Sequence, residues 1–166
     1  MKKLIFLLMV LFSLGVQAQI QKNILGFTLG VTPKQTVIQT LQNKGFECSL
    51  KEDAIKTKVF YTVKGGLSFG GYIWYEAIIG FVNGKLSSVM LSGDLNKSQY
   101  NKLKDTLISK YHKYQTSHSN PPSFYDFHDR ETEVSLWYHR DGWVMICYSD
   151  ETDSDNSTSS SSLKDL

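Results

Sequence analysis

The chain has 166 residues, with 18 Lys+Arg, 16 Asp+Glu, 4 His and 2 Cys. That length buries a real core without help from disulfides or metals, and two cysteines exclude a disulfide-framework miniprotein. A formal charge of +2 with no long basic tract excludes a typical nucleic-acid binder.

Met1 to Ala18 reads Lys2-Lys3, an apolar run from Leu4 to Leu14, then Val16-Gln17-Ala18. A positive start, a short apolar stretch and small residues at −3 and −1 predict a secretory signal peptide cleaved after Ala18. The run falls short of the roughly 20 residues of a spanning helix, and no cysteine near the cleavage point offers a lipid attachment site. The expected product is exported, periplasmic or secreted, with no stable membrane anchor. Without Lys2 and Lys3 the chain is neutral, divided between a +4 body at 19–149 and a −4 segment at 150–166. That last segment is Asp-, Ser- and Thr-rich, cannot bury enough apolar surface to offset its ordering entropy, and reads as a disordered tail. The body reads as a single α+β domain.

A short strand at Ile24–Thr28 leads into a first helix at Thr32-Pro33-Lys34-Gln35, where Thr32 caps and Gln35 completes a capping box. Val37, Ile38 and Leu41 form its apolar stripe, and Gly45 stops it. Three strand-like runs follow, Lys58–Lys64, Phe69–Val82 and Lys85–Ser92, with an Asn83-Gly84 hairpin signal between the last two. Lys64-Gly65-Gly66 reads as a strand turn and Gly70-Gly71 as a bulge. A second helix opens at Asn96 with Gln99 as its capping-box partner and Leu95 stapled on Tyr100; Leu103, Leu107, Tyr111 and Tyr114 extend its stripe. Ser123–His128, Glu133–Arg140 and Trp143–Ser149 then read as strands, the last two joined at Asp141-Gly142. The predicted architecture is tandem helix-βββ units forming an antiparallel sheet with two helices packed on one face.

Alternation divides the faces of this sheet. Ile73, Tyr75, Ala77, Ile79 and Phe81 make an apolar set expected under the helices, with Val134, Leu136 and Tyr138 beside them. Tyr72, Trp74, Glu76 and Ile78 then point the other way, with Ser135, Trp137 and His139. In the last strand, Val144, Ile146 and Tyr148 compete with Trp143, Met145 and Cys147, and periodicity alone does not choose.

The lead-in Gly26-Phe27-Thr28-Leu29-Gly30, a helix and a three-stranded meander resemble two groups of envelope proteins. One is the β-lactamase-inhibitor-protein-like fold, over almost the whole body. The other is the small outer-membrane barrel-assembly lipoprotein family, over about half, with the difference that this chain has no cysteine to be lipidated directly after its signal peptide. The first resemblance implies that the uncovered sheet face binds another protein.

Phe60, Tyr72, Trp74, Trp137 and Trp143 are the candidate binding residues on that outer face, since Trp and Tyr bury area at low rotamer cost. The alternative is a second small core covered by loops or by a symmetric homodimer. Cys48 and Cys147 are a disulfide candidate, worth about 4 kcal/mol in the chain-entropy model, against two free buried thiols. Asp126, His128, Asp129 and Glu131, with His139 across the hairpin, invite a metal or acid–base reading. They match no zinc spacing and read instead as a solvated turn. No nucleophile elbow or phosphate-cradling glycine loop is present, so no catalytic residue, metal or cofactor is expected. The expected function is an exported, non-catalytic binding module whose partner is a macromolecule, a protein before a small ligand or glycan. A small hydrolase or metalloenzyme around His128, Asp126 and His139 is the weakest alternative.

Overall fold

The computed structural model describes residues 19–55, 58–119, 123–139 and 141–152. The expected signal peptide and residues 153–166 of the expected tail lie outside them.

Among the described residues the chain is α+β, with two helices and a large antiparallel sheet. A two-stranded hairpin comes first, β1 (Asn23–Ile24) and β2 (Phe27–Thr28), where a single short strand was expected. The helix α1 (Lys34–Asn43) precedes β3 (Glu47–Ile55), β4 (Lys58–Phe69), β5 (Tyr72–Val82) and β6 (Lys85–Asp94). The helix α2 (Lys97–Tyr111) precedes a short 3-10 turn, then β7 (Gln115–Ser119), β8 (Ser123–His128), β9 (Thr132–Tyr138) and β10 (Trp143–Asp150). Each helix is thus followed by four strands rather than three. The missed strands, β3 and β7, are the two edges of the eight-stranded order β3-β4-β5-β6-β10-β9-β8-β7. Their sequences, Glu-Cys-Ser-Leu-Lys-Glu-Asp-Ala-Ile and Gln-Thr-Ser-His-Ser, carry little apolar alternation because an edge strand has one neighbour and less to bury.

The helix ends follow the local chemistry in one case and depart from it in the other. At α2 the Asn96 side chain accepts from the Gln99 N–H at 3.0 Å, and Gln99 Oε1 accepts from the Asn96 N–H at 3.0 Å, the reciprocal capping box expected. At α1 no such box forms, and Pro33 is the N-cap. Thr32 Oγ1 instead accepts from the Thr28 N–H at 2.8 Å, which ties the helix entry to the β1–β2 hairpin.

The core lies on one face of the sheet. Directly paired residues point to the same side, and Val63, Ala77, Leu91, Ile146 and Leu136 form one continuous rung, each fully buried. The next rung holds Ile79, Val89, Tyr148, Val134 and Phe127. Val37 and Leu41 of α1 and Tyr100, Leu103, Leu107 and Tyr111 of α2 share the same hydrophobic core. The last strand therefore turns Val144, Ile146 and Tyr148 inward. Tyr138 joins this side too, its ring 4.5 Å from that of Tyr100.

The alternation expected in β5 holds for Ala77, Ile79 and Phe81 but reverses before them: Ile73 and Tyr75 are each 57% exposed, while Trp74 is 1% exposed. The cause is a bulge in β4. Lys64 pairs Glu76, yet Leu67 pairs Trp74, so β4 carries an extra residue at Gly65-Gly66, where φ is +126° and +76°. The two-residue hairpin turn is Gly70-Gly71, with φ of +64° and +82°. Turn and bulge are thus exchanged relative to the expectation. Beyond the bulge the hairpin bends onto the helix-bearing face. Phe69 stacks edge-on against Tyr148 at 5.7 Å, and a Cβ placed on Gly93 would lie 3.5 Å from the Trp74 Cα.

The N-terminal segment straps the structure. The Ile20 N–H donates to Asp129 Oδ2 at 2.7 Å, Lys110 Nζ donates to Gln21 Oε1 at 2.8 Å, and Lys22 Nζ pairs Glu131 at 2.8 Å. Burial works against the Lys22 charge, but Glu131, Asp150 and Asp129 together hold its pKa above the usual lysine value. The Asp150 side chain is only 3% exposed, and the Glu151 N–H donates to the Glu131 carbonyl at 2.9 Å. The ordered chain therefore runs past the point where a tail was expected to begin.

Candidate functional site

The outer face of the sheet is read from the same registers. One rung runs Thr62–Ile78–Met90–Cys147–Ser135–Asp126–Ser117, from β4 to β7. A second runs Lys64–Glu76–Ser92–Met145–Trp137–Phe124–Ser119. A third runs Phe60–Gly80–Ser88–Ser149–Glu133–His128. Trp143 pairs Asp94 at the end of β10.

Of the five candidate binding residues, Phe60, Trp137 and Trp143 are on this face and half-buried. The Phe60 ring lies over Gly80, where an added Cβ would come within 2.9 Å of it. Trp137 packs on Phe124 with ring centroids 5.4 Å apart. Tyr72 and Trp74 are not on this face. The bend after the Gly65-Gly66 bulge carries both onto the core side, where Trp74 Nε1 donates to the Phe69 carbonyl at 3.0 Å and the Tyr72 hydroxyl donates to the Gln99 carbonyl of α2 at 3.2 Å. Sequence reading missed Phe124, Met90 and Met145 as face residues. Their signal was register rather than type, since each pairs directly with a residue already on that face.

At the β8–β9 end the face turns acidic. Ser135 Oγ donates to Asp126 Oδ1 at 2.6 Å and lies 3.3 Å from Glu133 Oε1, while Ser117 Oγ donates to Asp126 Oδ2 at 2.9 Å. Burial, and then the charges of Asp126 and Glu151, push the Glu133 carboxyl above the usual carboxylate range. Cys147 stands next to Ser135 in the ladder. Burial, with Glu133 and Glu151 nearby, pushes its thiol up to about 12, so it is protonated and unreactive at neutral pH.

Of the two alternatives for Cys48 and Cys147, the structure has the free thiols and not the candidate disulfide. Cys48 is on β3, four strands from β10, and pairs Val63 on the core side, whereas Cys147 faces outward. Four strand spacings come to about 19 Å, far beyond the roughly 7 Å between Cα atoms that a disulfide spans.

The histidine constellation does not assemble either. Asp126 and His128 share the outer face, but His128 pairs Glu133 at one end of β9 while His139 follows its other end. About six residues of extended strand, roughly 20 Å, separate those positions. Asp129 acts on the backbone: Oδ1 accepts the N–H groups of Glu131 and Thr132 at 2.9 and 2.8 Å. Among the described residues, no group of three His, Cys, Asp or Glu side chains is placed to hold a metal ion, and no helix is long and apolar enough to cross a membrane. A surface hollow along α2, lined by Ser98, Asn101, Lys102, Asp105, Thr106 and Ser109, draws all its walls from one helix and converges on no reactive group.

Comparison with known proteins adds no assignment: no family model, no curated protein and no solved structure matches this chain.

Proposed function

We propose that the protein is an exported, non-catalytic binding module that engages another protein through the sheet face opposite the helices. The observation that carries the reading is the run of half-buried apolar side chains on that face, Phe60, Ile78, Met90, Met145, Trp137, Phe124 and Trp143. A contiguous apolar patch of this kind is seldom kept on a soluble monomer without use, and a rigid eight-stranded sheet presents it without ordering cost on binding. The element order, a helix followed by four strands, twice over, supports reading the body as a duplicated unit whose halves join at β6 and β10. Replacing Trp137 and Trp143 with Ala should abolish capture of the partner from envelope extract while circular dichroism stays unchanged. Undiminished capture by the double variant would refute this surface.

The paired rings of Phe124 and Trp137 favour one second reading, a stacking platform for a sugar. A rise in melting temperature with an oligosaccharide, lost in Trp137→Ala, would select it over the first.

A further inference from the structure

The outer face is charged as well as apolar, and its charge is opposite to that of the rest of the body. Residues 19–149 carry a net +4. The outer rungs nevertheless hold Glu47, Glu76, Asp94, Asp126 and Glu133, against Lys58, Lys64 and Lys85. Lys64 is already flanked in the ladder by Glu47 and Glu76. Among the described residues, no lysine or arginine makes an ion pair with Asp126 or Glu133; their polar contacts are the hydroxyls of Ser117 and Ser135. The basic residues Lys97, Lys102, Lys104 and Lys110 sit on α2, over the other face. Among the described residues, the one cationic group acting on this pair is the exposed imidazole of His128, which pairs Glu133 in the ladder and does not offset its burial and the charges of Asp126 and Glu151. Two carboxylates held close together, partly out of water and without a lysine or arginine, gain most from a partner that brings positive charge. Beside them, Trp137, Phe124 and Met145 offer apolar contact in the rung next to Asp126, and Met90 lies further along Asp126's own rung.

We propose that the partner of this face is a cationic amphipathic polypeptide segment, with Lys or Arg side chains meeting Asp126 and Glu133 and large apolar side chains covering Trp137, Phe124 and the two methionines. This rests on the reading above that the outer face is the binding surface. It names the chemistry of the occupant.

The probes are three synthetic peptides that alternate Leu with Lys, with Glu or with Ser, titrated into the protein while the indole N–H signals of its three tryptophans are followed by NMR. The Lys–Leu peptide is expected to move the Trp137 and Trp143 signals and leave that of the buried Trp74 in place. High salt should weaken the effect, and Glu133→Gln combined with Asp126→Asn should lower affinity about tenfold. Glu133→Gln alone, which keeps the acceptor for Ser135, should lower it in the same direction if the double variant fails to fold. Equal binding of the Glu–Leu or Ser–Leu peptide at Trp137 and Trp143 would overturn the charge proposal and leave the binding face standing. If no peptide moves either signal, both readings fall. Signals that shift on dilution without peptide, with a doubled mass in sedimentation, would make the occupant a second copy of the chain and overturn the proposal.

Discussion

The carboxylate of Asp129 takes the backbone N–H of Ile20 at 2.7 Å, across 109 positions of sequence. The same side chain closes the β8–β9 turn through the N–H groups of Glu131 and Thr132. One residue therefore holds both the tight turn and the N-terminal strap that crosses it.

Replacing Asp129 with Ala leaves three N–H groups without their carboxylate. Hydrogen bonds to a charged acceptor are worth about 1.5–3 kcal/mol each, and water at this partly exposed turn recovers some of that. The expected loss is about 2–3 kcal/mol of unfolding free energy by urea titration, with faster amide exchange at Ile20 and Thr132 together. Faster exchange at Thr132 alone would show that the strap is held by other contacts.

The tryptophans divide by face, and their substitutions should divide with them. Trp74→Ala empties a fully buried site and should cost about 3–5 kcal/mol. Trp137→Ala, half-buried on the outer face, should cost less, about 1 kcal/mol. Denaturation of the two variants measures both, and acrylamide should quench Trp137 more than Trp74. Similar costs for the two would mean that the outer face is itself covered.

This division marks where sequence reading worked and where it stopped. Period-2 alternation placed Ala77, Ile79, Val134 and Leu136 on the core side, because a regular strand cannot do otherwise. It misplaced Trp74, because one extra residue in β4 at Gly65-Gly66 bends the hairpin and changes which side chains face inward in β5. A bulge in one strand leaves no mark in the sequence of its partner. The capping box of α2 was legible because both its partners are local, at Asn96 and Gln99. At Thr32 the same motif was outcompeted by a contact with Thr28 that the helix signal does not encode. Asp126, Glu133 and Ser135 come together only through the β8–β9 register, so the acidic end of the face was invisible until the strands were paired.

The cysteines give a chemical check on the sheet order. With Cys48 and Cys147 four strands apart and on opposite faces, the native protein should yield two free thiols per chain on titration in denaturant. Reducing agent should leave its melting temperature unchanged. In the folded state both should react slowly, since burial raises each thiol above its ordinary value. A mobility shift on non-reducing gels, or a melting temperature lowered by reductant, would contradict this strand order.

Glu133 gives the face a pH signature. Its folded-state carboxyl is raised above the usual range by burial, then by Asp126 and Glu151, against the opposing pull of the Ser135 hydrogen bond and the His128 charge, so the folded protein binds its proton more tightly than the unfolded chain does. Stability attributable to this group therefore falls as pH rises from the ordinary carboxylate range through the raised value, and stays lower at neutral pH. Glu133→Gln removes the charge and keeps an oxygen to accept from Ser135. The variant should melt at a higher temperature than the parent at pH 7, and the gap should close as pH falls below the usual carboxylate range, where both forms are neutral. A parent more stable than the variant at pH 7 would mean that a cation already satisfies the site. In that case the acidic end of the face would not be held ready for a basic partner.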